Sequence, residues 1–377
     1  MAFLANIPSV ILPFLITLTV LIFVHELGHY LVARWNNVRV EVFSIGFGRE
    51  IFGWNDSRGT RWKFCWIPFG GYVKFFGDMG VTSGLGEEDE SLTPEERDVA
   101  FHHKRLGPRA AIVAAGPLAN FALAIVIFAG LFSIVGQPFT SPVISAVTPG
   151  SAAASAGLEP GDRIVRVRGS KIARFEDIQR IVQIRPDEEM SLVILRDGAE
   201  HTLSVTPRLV VEDDRFGNTV RFGRLGIRST AVEFVKRDPV TAVWYGFRAT
   251  YDIVGQTFVA LRQIVSGRRG AGELAGPIGI AQMSGQVAEV GLVAAIQFAA
   301  FLSVSLGLIN LFPIPVLDGG HLLFYAFEAL RGKPLSRKAQ EFGLRFGLLL
   351  IFGLMFFTTF NDLNRLDLFG FVSGLFS

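Results

Sequence analysis

Four long apolar runs constrain this chain more than any other feature. A helix needs about 20 mostly apolar residues to cross the hydrocarbon core of a bilayer. The first run extends from about Ile7 to Trp35, the second from about Ala110 to Val135, and the third from about Leu292 to Phe312. A fourth, shorter run covers about Phe346 to Phe360 and is followed by a further apolar tail. The first run is too long for a secretory h-region, has no basic n-region and shows no small-residue cleavage site, so it reads as a retained span. Only 19% of the residues are charged and 35 are Phe, whereas ordinary soluble domains are about 25% charged. That balance excludes a purely soluble globule and a disordered chain. A formal net charge of +2 gives no footing for nucleic acid, and the one cysteine, Cys65, cannot form an internal disulfide.

Basic residues in short flanks set the expected orientation. Residues 1–33 hold no Lys or Arg. Arg34, Arg39, Arg49, Arg58, Arg61, Lys63 and Lys74 follow the first run, and Lys104, Arg105 and Arg109 precede the second. Arg331, Lys333, Arg337, Lys338 and Arg345 lie between the third and fourth, and only Arg365 lies beyond the fourth. Both short connections are therefore expected on the cytoplasmic side. The termini and the long polar stretch between the second and third runs, about Gln137 to Gly291, are expected on the far side.

Within the first run stand Val24-His25-Glu26-Leu27-Gly28-His29. His and Glu inside an apolar helix cost several kcal/mol unless paired or ligated. His25 and His29 are four residues apart and share one helix face, so both imidazoles can reach one metal ion. Glu26 beside them is placed to act as general base, which is the mechanical content of HExxH. A helix end snorkelling to the interface and a proton relay in a transporter are the competing readings. A catalytic zinc takes three protein ligands and keeps one position for water. The candidate third ligand is Asp318, in Asn310-Leu311-Phe312-Pro313-Ile314-Pro315-Val316-Leu317-Asp318-Gly319-Gly320-His321. The two prolines break the helix, and the two glycines let the backbone pass close to a neighbour. Alone, such a motif is more often a loop with an Asp-Gly turn; paired with HExxH at the same depth, it reads as a ligand.

These residues resemble the site-2 protease family of intramembrane zinc metalloproteases, in its RseP-like bacterial branch. The likeness spans nearly the whole chain. It rests on His25 to His29, on Gly116-Pro117-Leu118-Ala119-Asn120, on Gly276-Pro277-Ile278, on Asn310 to His321 and on Phe360-Asn361-Asp362. The resemblance implies that His25, His29 and Asp318 bind Zn2+, that Glu26 activates the water, and that Asn310 contacts substrate near the scissile bond. Asn120 is assigned as a second substrate contact or a support behind the metal ligands. The implied chemistry is metal-assisted peptide hydrolysis within transmembrane segments of single-span proteins. Such proteolysis serves regulated signalling, as with anti-sigma factors, or clears signal-peptide remnants, and its substrates are first shortened by another protease.

The expected fold class is a polytopic α-helical membrane protein with four transmembrane helices, a membrane-associated β-loop and one inserted PDZ-like α+β domain. Some members of the branch carry two PDZ modules; here there is room for one, at residues 140–230. Its signature is Ser151-Ala152-Ala153-Ala154-Ser155-Ala156-Gly157-Leu158-Glu159-Pro160-Gly161-Asp162-Arg163-Ile164, followed by strands at 165–169 and 191–198. Residues 1–136 are expected to hold the first two spans and a β-loop made of 38–48 returning antiparallel through 61–74. Residues 231–291 are expected as an extracytoplasmic linker with an amphipathic helix at 238–265, lying on the membrane or packing on the PDZ domain. Residues 292–377 hold the last two spans. The run Gly86-Glu87-Glu88-Asp89-Glu90 reads as a solvated loop. The localisation implied is the bacterial inner membrane, with PDZ domain and termini periplasmic. A proton- or metal-coupled transporter using the same charged site is the alternative, against which stand four spans without an inverted repeat. A catalytically idle PDZ scaffold is a third, against which stands the intact HExxH with Asp318.

Overall fold

A computed structural model describes residues 7–77, 92–213, 219–230, 232–267 and 274–365. The acidic run at 86–90 and the apolar tail beyond 365 lie outside the described residues. In chain order the elements begin with helix α1 (Ile7–Trp35), strands β1 (Val40–Asn55) and β2 (Arg61–Phe75), and helices α2 (Pro94–Val99) and α3 (Leu106–Ile134). There follow β3 (Gln137–Thr140), β4 (Ala146–Val147), α4 (Ala152–Ser155), β5 (Arg163–Val167), β6 (Ser170–Lys171), α5 (Phe175–Gln183), β7 (Met190–Arg196) and β8 (Ala199–Val205). Then come β9 (Arg208–Asp213), β10 (Thr219–Arg224), β11 (Ile227–Arg228) and β12 (Val232–Val235). The chain closes with α6 (Pro239–Val265), α7 (Pro277–Val290), α8 (Leu292–Asn310), α9 (Asp318–Arg331) and α10 (Arg337–Arg365). It divides into two compact units, Met1–Ala129 with Val243–Leu261 and Gly270–Ser377, and Gly130–Ala242 with Arg262–Arg269.

Among the described residues, four helices are long and apolar enough to cross a membrane, in α1, α3, α8 and α10. They match the four apolar runs, and the fourth is longer than expected, at Lys338–Asn364. With lipid as apolar as any side chain, such helices pack through small residues that let backbones approach. Gly28 does this for α1 and α3: a Cβ there would strike the Ala115 carbonyl oxygen and stand 2.7 Å from the Ala119 Cβ. On α8, a Cβ at Gly307 would stand 2.9 Å from the Pro117 oxygen, and the Ser303 hydroxyl donates to the Asn120 carbonyl at 2.8 Å. Helix α3 therefore lies in close contact with both α1 and α8.

Three elements differ from the sequence expectation. The stretch from residue 318 to 331, expected as part of a basic loop, is helix α9. Its Gly319 and Gly320 have no room for side chains, because the carbonyls of Leu311 and Ile314 occupy the space. Helix α7, in the region expected to be a linker, packs on α1, where a Cβ at Gly285 would lie 2.9 Å from the Val10 Cα. Helix α6, expected on the membrane surface or against the PDZ domain, packs along α3. A Cβ at Gly246 would lie 2.7 Å from the Ile125 oxygen and 3.5 Å from the Phe128 Cβ.

Strands β1 and β2 pair antiparallel and fold back on themselves: Val42 to Ile45 pair with 71–74 on one side and with 61–64 on the other, and Glu50 to Asn55 pair again with 61–65. The turn between them is tied down by Asp56, whose carboxylate accepts from the backbone N–H of Arg58 and Thr60, the Trp62 indole and the Tyr30 hydroxyl on α1. One face packs inward with Phe43 fully buried, stacked on Trp62 at 4.2 Å between centroids. Ile51, Phe52, Trp54, Trp66 and Ile67 are left exposed.

The second unit is built on a four-stranded antiparallel sheet in the order β6-β5-β7-β8. Strand alternation puts Met190, Leu192 and Ile194 of β7 in the core. Helix α5 adds Phe175, Ile178 and Val182 at helical spacing. The first and last strands of the unit, β3 and β12, pair with each other.

Candidate metal centre

Helix α1 carries its two histidines on the face that meets α3, and both are buried. Their Nε2 atoms are 3.2 Å apart. The Asp318 carboxylate, at the start of α9, places Oδ2 3.2 Å from His25 Nε2 and 3.5 Å from His29 Nε2. These three ligand atoms form the one metal-binding group found among the described residues. Asp318 Oδ2 is buried without a hydrogen-bonding partner of acceptable geometry. The spacing fits zinc: ligand bonds of about 2.0–2.2 Å in tetrahedral array put neighbouring ligand atoms roughly 3.3–3.6 Å apart. His, His and Asp are also a donor set that zinc accepts, leaving a fourth position open.

The rings are oriented from behind by α3. His29 Nδ1 lies 2.8 Å from the Ile112 carbonyl oxygen, which fixes Nδ1 as the protonated nitrogen and frees Nε2 as a ligand. Gly116 gives the ring its seat: a Cβ there would strike His29 Nε2 and lie 2.6 Å from Cε1. Asn120, with no exposed surface, sets its side-chain amide 3.1 Å from His25 Nδ1. As placed, the Asn120 NH2 faces that nitrogen while Oδ1 is buried without a partner. Exchanging the amide N and O satisfies Oδ1 and lets it accept from His25 Nδ1–H, as a ligand histidine requires. The sequence reading left Asn120 either as a second substrate contact or as a support behind the metal ligands; its amide lies against His25.

Glu26 and Asn310 line one cavity of about 500 Å³ with the three candidate ligands. The wall beside Glu26 comes from β2, where Gly71, Tyr72 and Val73 border the same space. A Cβ at Gly71 would lie 3.2 Å from the Glu26 Cγ. Asn310 donates to the Leu306 carbonyl at 3.0 Å. Just before Asp318, Val316 is held at a φ of 100°, a conformation rare for a β-branched residue, and it also lines the cavity. The sequence reading missed the Ile112 carbonyl, the seat at Gly116, and Arg109 with Glu328, which line the cavity as well. A helical spacing of 109, 112, 116 and 120 is the signal that would have linked them.

The fold and the site together define a class: a polytopic membrane protein with a His-His-Asp cluster of metal-binding geometry beside a glutamate. The sequence profile of peptidase family M50 matches residues 13–354, and the chain belongs to that family. Metalloprotease MmpA of Caulobacter vibrioides is 39% identical over 388 residues, spanning 96% of this chain and 97% of that one. Proteins bearing zinc-metalloprotease names are 48% identical in Agrobacterium fabrum (94% of this chain, 96% of the relative) and 47% in Rhizobium meliloti (96% and 98%). Among solved structures, the PDZ domain of an SdrC-like protein from Listeria monocytogenes covers 24% of this chain and 90% of its own, at 14% identity and a TM-score of 0.19. That score is too low to define a fold.

Proposed function

We propose that this chain is an intramembrane zinc metalloendopeptidase that cuts the transmembrane segments of single-span membrane proteins. The observation that carries the proposal is the 3.2–3.5 Å triangle of His25, His29 and Asp318 with Glu26 on the wall of the same cavity. Membership of a peptidase family decides against the transporter alternative.

The residues that would hold zinc are His25, His29 and Asp318. When bound, zinc supplies the Lewis acidity that makes a water nucleophilic near neutral pH. Glu26 accepts that water's proton on its carboxylate and returns it to the departing amine. Asn310 lends an amide to the substrate at the scissile bond. The Ile112 carbonyl and Asn120 keep both imidazoles aimed. A helical peptide bond is shielded by its own turn, so the substrate must unwind, and its freed N–H and C=O groups need partners at membrane depth. Residues 71–75 of β2 pair with β1 along one side, the described residues place no strand along the other, and this part of β2 borders the site. An unwound segment laid along its edge gains those backbone bonds.

The charge distribution supports an inner-membrane chain with the site near the cytoplasmic side and the 140–230 unit periplasmic. That unit reads as one PDZ domain. Its groove of about 790 Å³, lined by Phe175, Ile178, Val182, Leu225 and Ile227, suits an extended peptide, so it would select substrates already shortened by another protease. The test is metal analysis with cleavage of a single-span substrate in liposomes. Glu26→Gln keeps zinc at wild-type stoichiometry and lowers cleavage by about 10²-fold or more; cleavage at the wild-type rate refutes the base assignment.

A further inference from the structure

Helix α3 touches the metal centre at more than one level. Asn120 serves His25, and Gly116 and the Ile112 carbonyl serve His29. One turn nearer its N-terminus, on the same stripe, stands Arg109. Its guanidinium makes an ion pair with Glu328 of α9 and lies 5.0 Å over the Tyr325 ring of that helix. The Arg109 and Glu328 side chains are only 13% and 19% exposed, and both line the site cavity. Leu322 and Tyr325 pack against the buried cluster that contains Ile112 and Val113. Asp318, Leu322, Tyr325 and Glu328 thus share one side of α9, with the third ligand at one end and the ion pair at the other.

We propose that the Arg109–Glu328 pair is a positioning clasp for Asp318, holding α9 in register on α3 so that the carboxylate meets the two imidazoles. The inference rests on the zinc reading above. The clasp acts ten residues along a stiff helix. Helix α3 then sets all three ligands from one face, through an amide, a carbonyl and a guanidinium. Neither Arg109 nor Glu328 touches the substrate or the reacting atoms in this assignment.

The experiment uses the full-length protein in detergent micelles, loaded with zinc against a competing chelator and separately with Co2+ to read its d–d absorption. Arg109→Met and Glu328→Gln should weaken zinc binding by roughly 10- to 100-fold, the range expected for groups that orient ligands. Both should alter the cobalt spectrum. Arg109→Lys, which keeps the charge, should lose less than Arg109→Met. Glu328→Asp keeps the pair, shortens it by one methylene and is least disruptive to folding; it should still shift the cobalt bands. Wild-type affinity and an unchanged spectrum in Glu328→Gln and Glu328→Asp overturn the clasp. If the unaltered protein binds no zinc, or binds it independently of His25, it is the zinc reading that fails.

Discussion

At the scale of single residues, the site depends as much on what is missing as on what is present. Gly116 lies in the interior of α3, where Ala in place of Gly ordinarily gains about 0.5–1 kcal/mol of helix stability. The added Cβ, however, would meet the His29 ring at Nε2 and Cε1. The ring cannot swing away without breaking its contact with the Ile112 carbonyl. Gly116→Ala is therefore expected to lower the thermal stability of the metal-free protein, because overpacking costs about 1–3 kcal/mol and outweighs the propensity gain, and zinc affinity falls at least about tenfold. Chelator competition and a melting curve on the same sample check both halves, and undiminished affinity would show that His29 has slack the packing does not suggest. The histidines were legible because ionisable groups inside an apolar helix demand an explanation, and a spacing of four supplied one; Asp318 was legible only as the third ligand that such a pair calls for. The seat at Gly116 was not, because a glycine announces close approach without naming its neighbour. Asn120 was visible as a polar residue three positions after a proline, yet nothing in its sequence context distinguishes a residue facing substrate from one facing His25.

At the scale of elements, the spans could be read from hydropathy, and the β1–β2 pair from alternation with aromatic enrichment. Two of the helices that went unread, α7 and α9, begin in sequence that argues for a loop. Pro277 and Gly279 open one, and Asp318-Gly319-Gly320 opens the other; Gly costs about 1 kcal/mol in a helix interior. Tertiary contacts override that cost. For α7 the contact is specific: the buried Asp362 carboxylate of α10 accepts from the backbone N–H groups of Gly276 and Gly279, at 3.1 and 2.9 Å. A carboxylate there satisfies two of the donors that a helix start leaves unpaired and opposes the dipole. The motifs Gly276-Pro277-Ile278 and Phe360-Asn361-Asp362 are thus two halves of one contact. Asp362→Ala should cost about 1–2 kcal/mol, as loss of a helix N-cap does. Hydrogen exchange in micelles should show the first turns of α7 opening faster, with Asp362→Asn intermediate. Unchanged exchange over 276–284 would mean that packing on α1 alone holds the helix.

At the scale of the whole molecule, the two units have separate cores, and the second, built around Gly130–Ala242, carries what it needs to fold alone. Its terminal strands β3 and β12 pair, Val232 opposite Thr140 and Val235 opposite Gln137, so excision at 137 and 235 leaves tied ends. Its core includes Ile164, Ile178, Met190, Leu192 and Ile194. One buried charge is at stake. Asp162 is 1% exposed and accepts two hydrogen bonds from Arg196, at 2.6 and 2.7 Å, and one from the Glu159 N–H at 2.9 Å. Burial alone would raise its carboxyl pKa, but these donors outweigh it and hold the group below the usual aspartate range. A carboxyl depressed on folding contributes its full stability above the unfolded pKa of about 3.9 and loses it as pH falls through the lower folded value. Urea unfolding of the isolated 137–235 fragment should therefore be cooperative and flat with pH near neutrality, and weaken below about pH 4. Asp162→Asn should lower stability at pH 7 by about 2 kcal/mol, the worth of hydrogen bonds to a charged group. The gap between the two proteins should then close as the solution is acidified, because the native aspartate becomes neutral as well. A gap of the same size at pH 3 would assign the loss to packing rather than charge, and a fragment without a cooperative transition would deny the unit its independence.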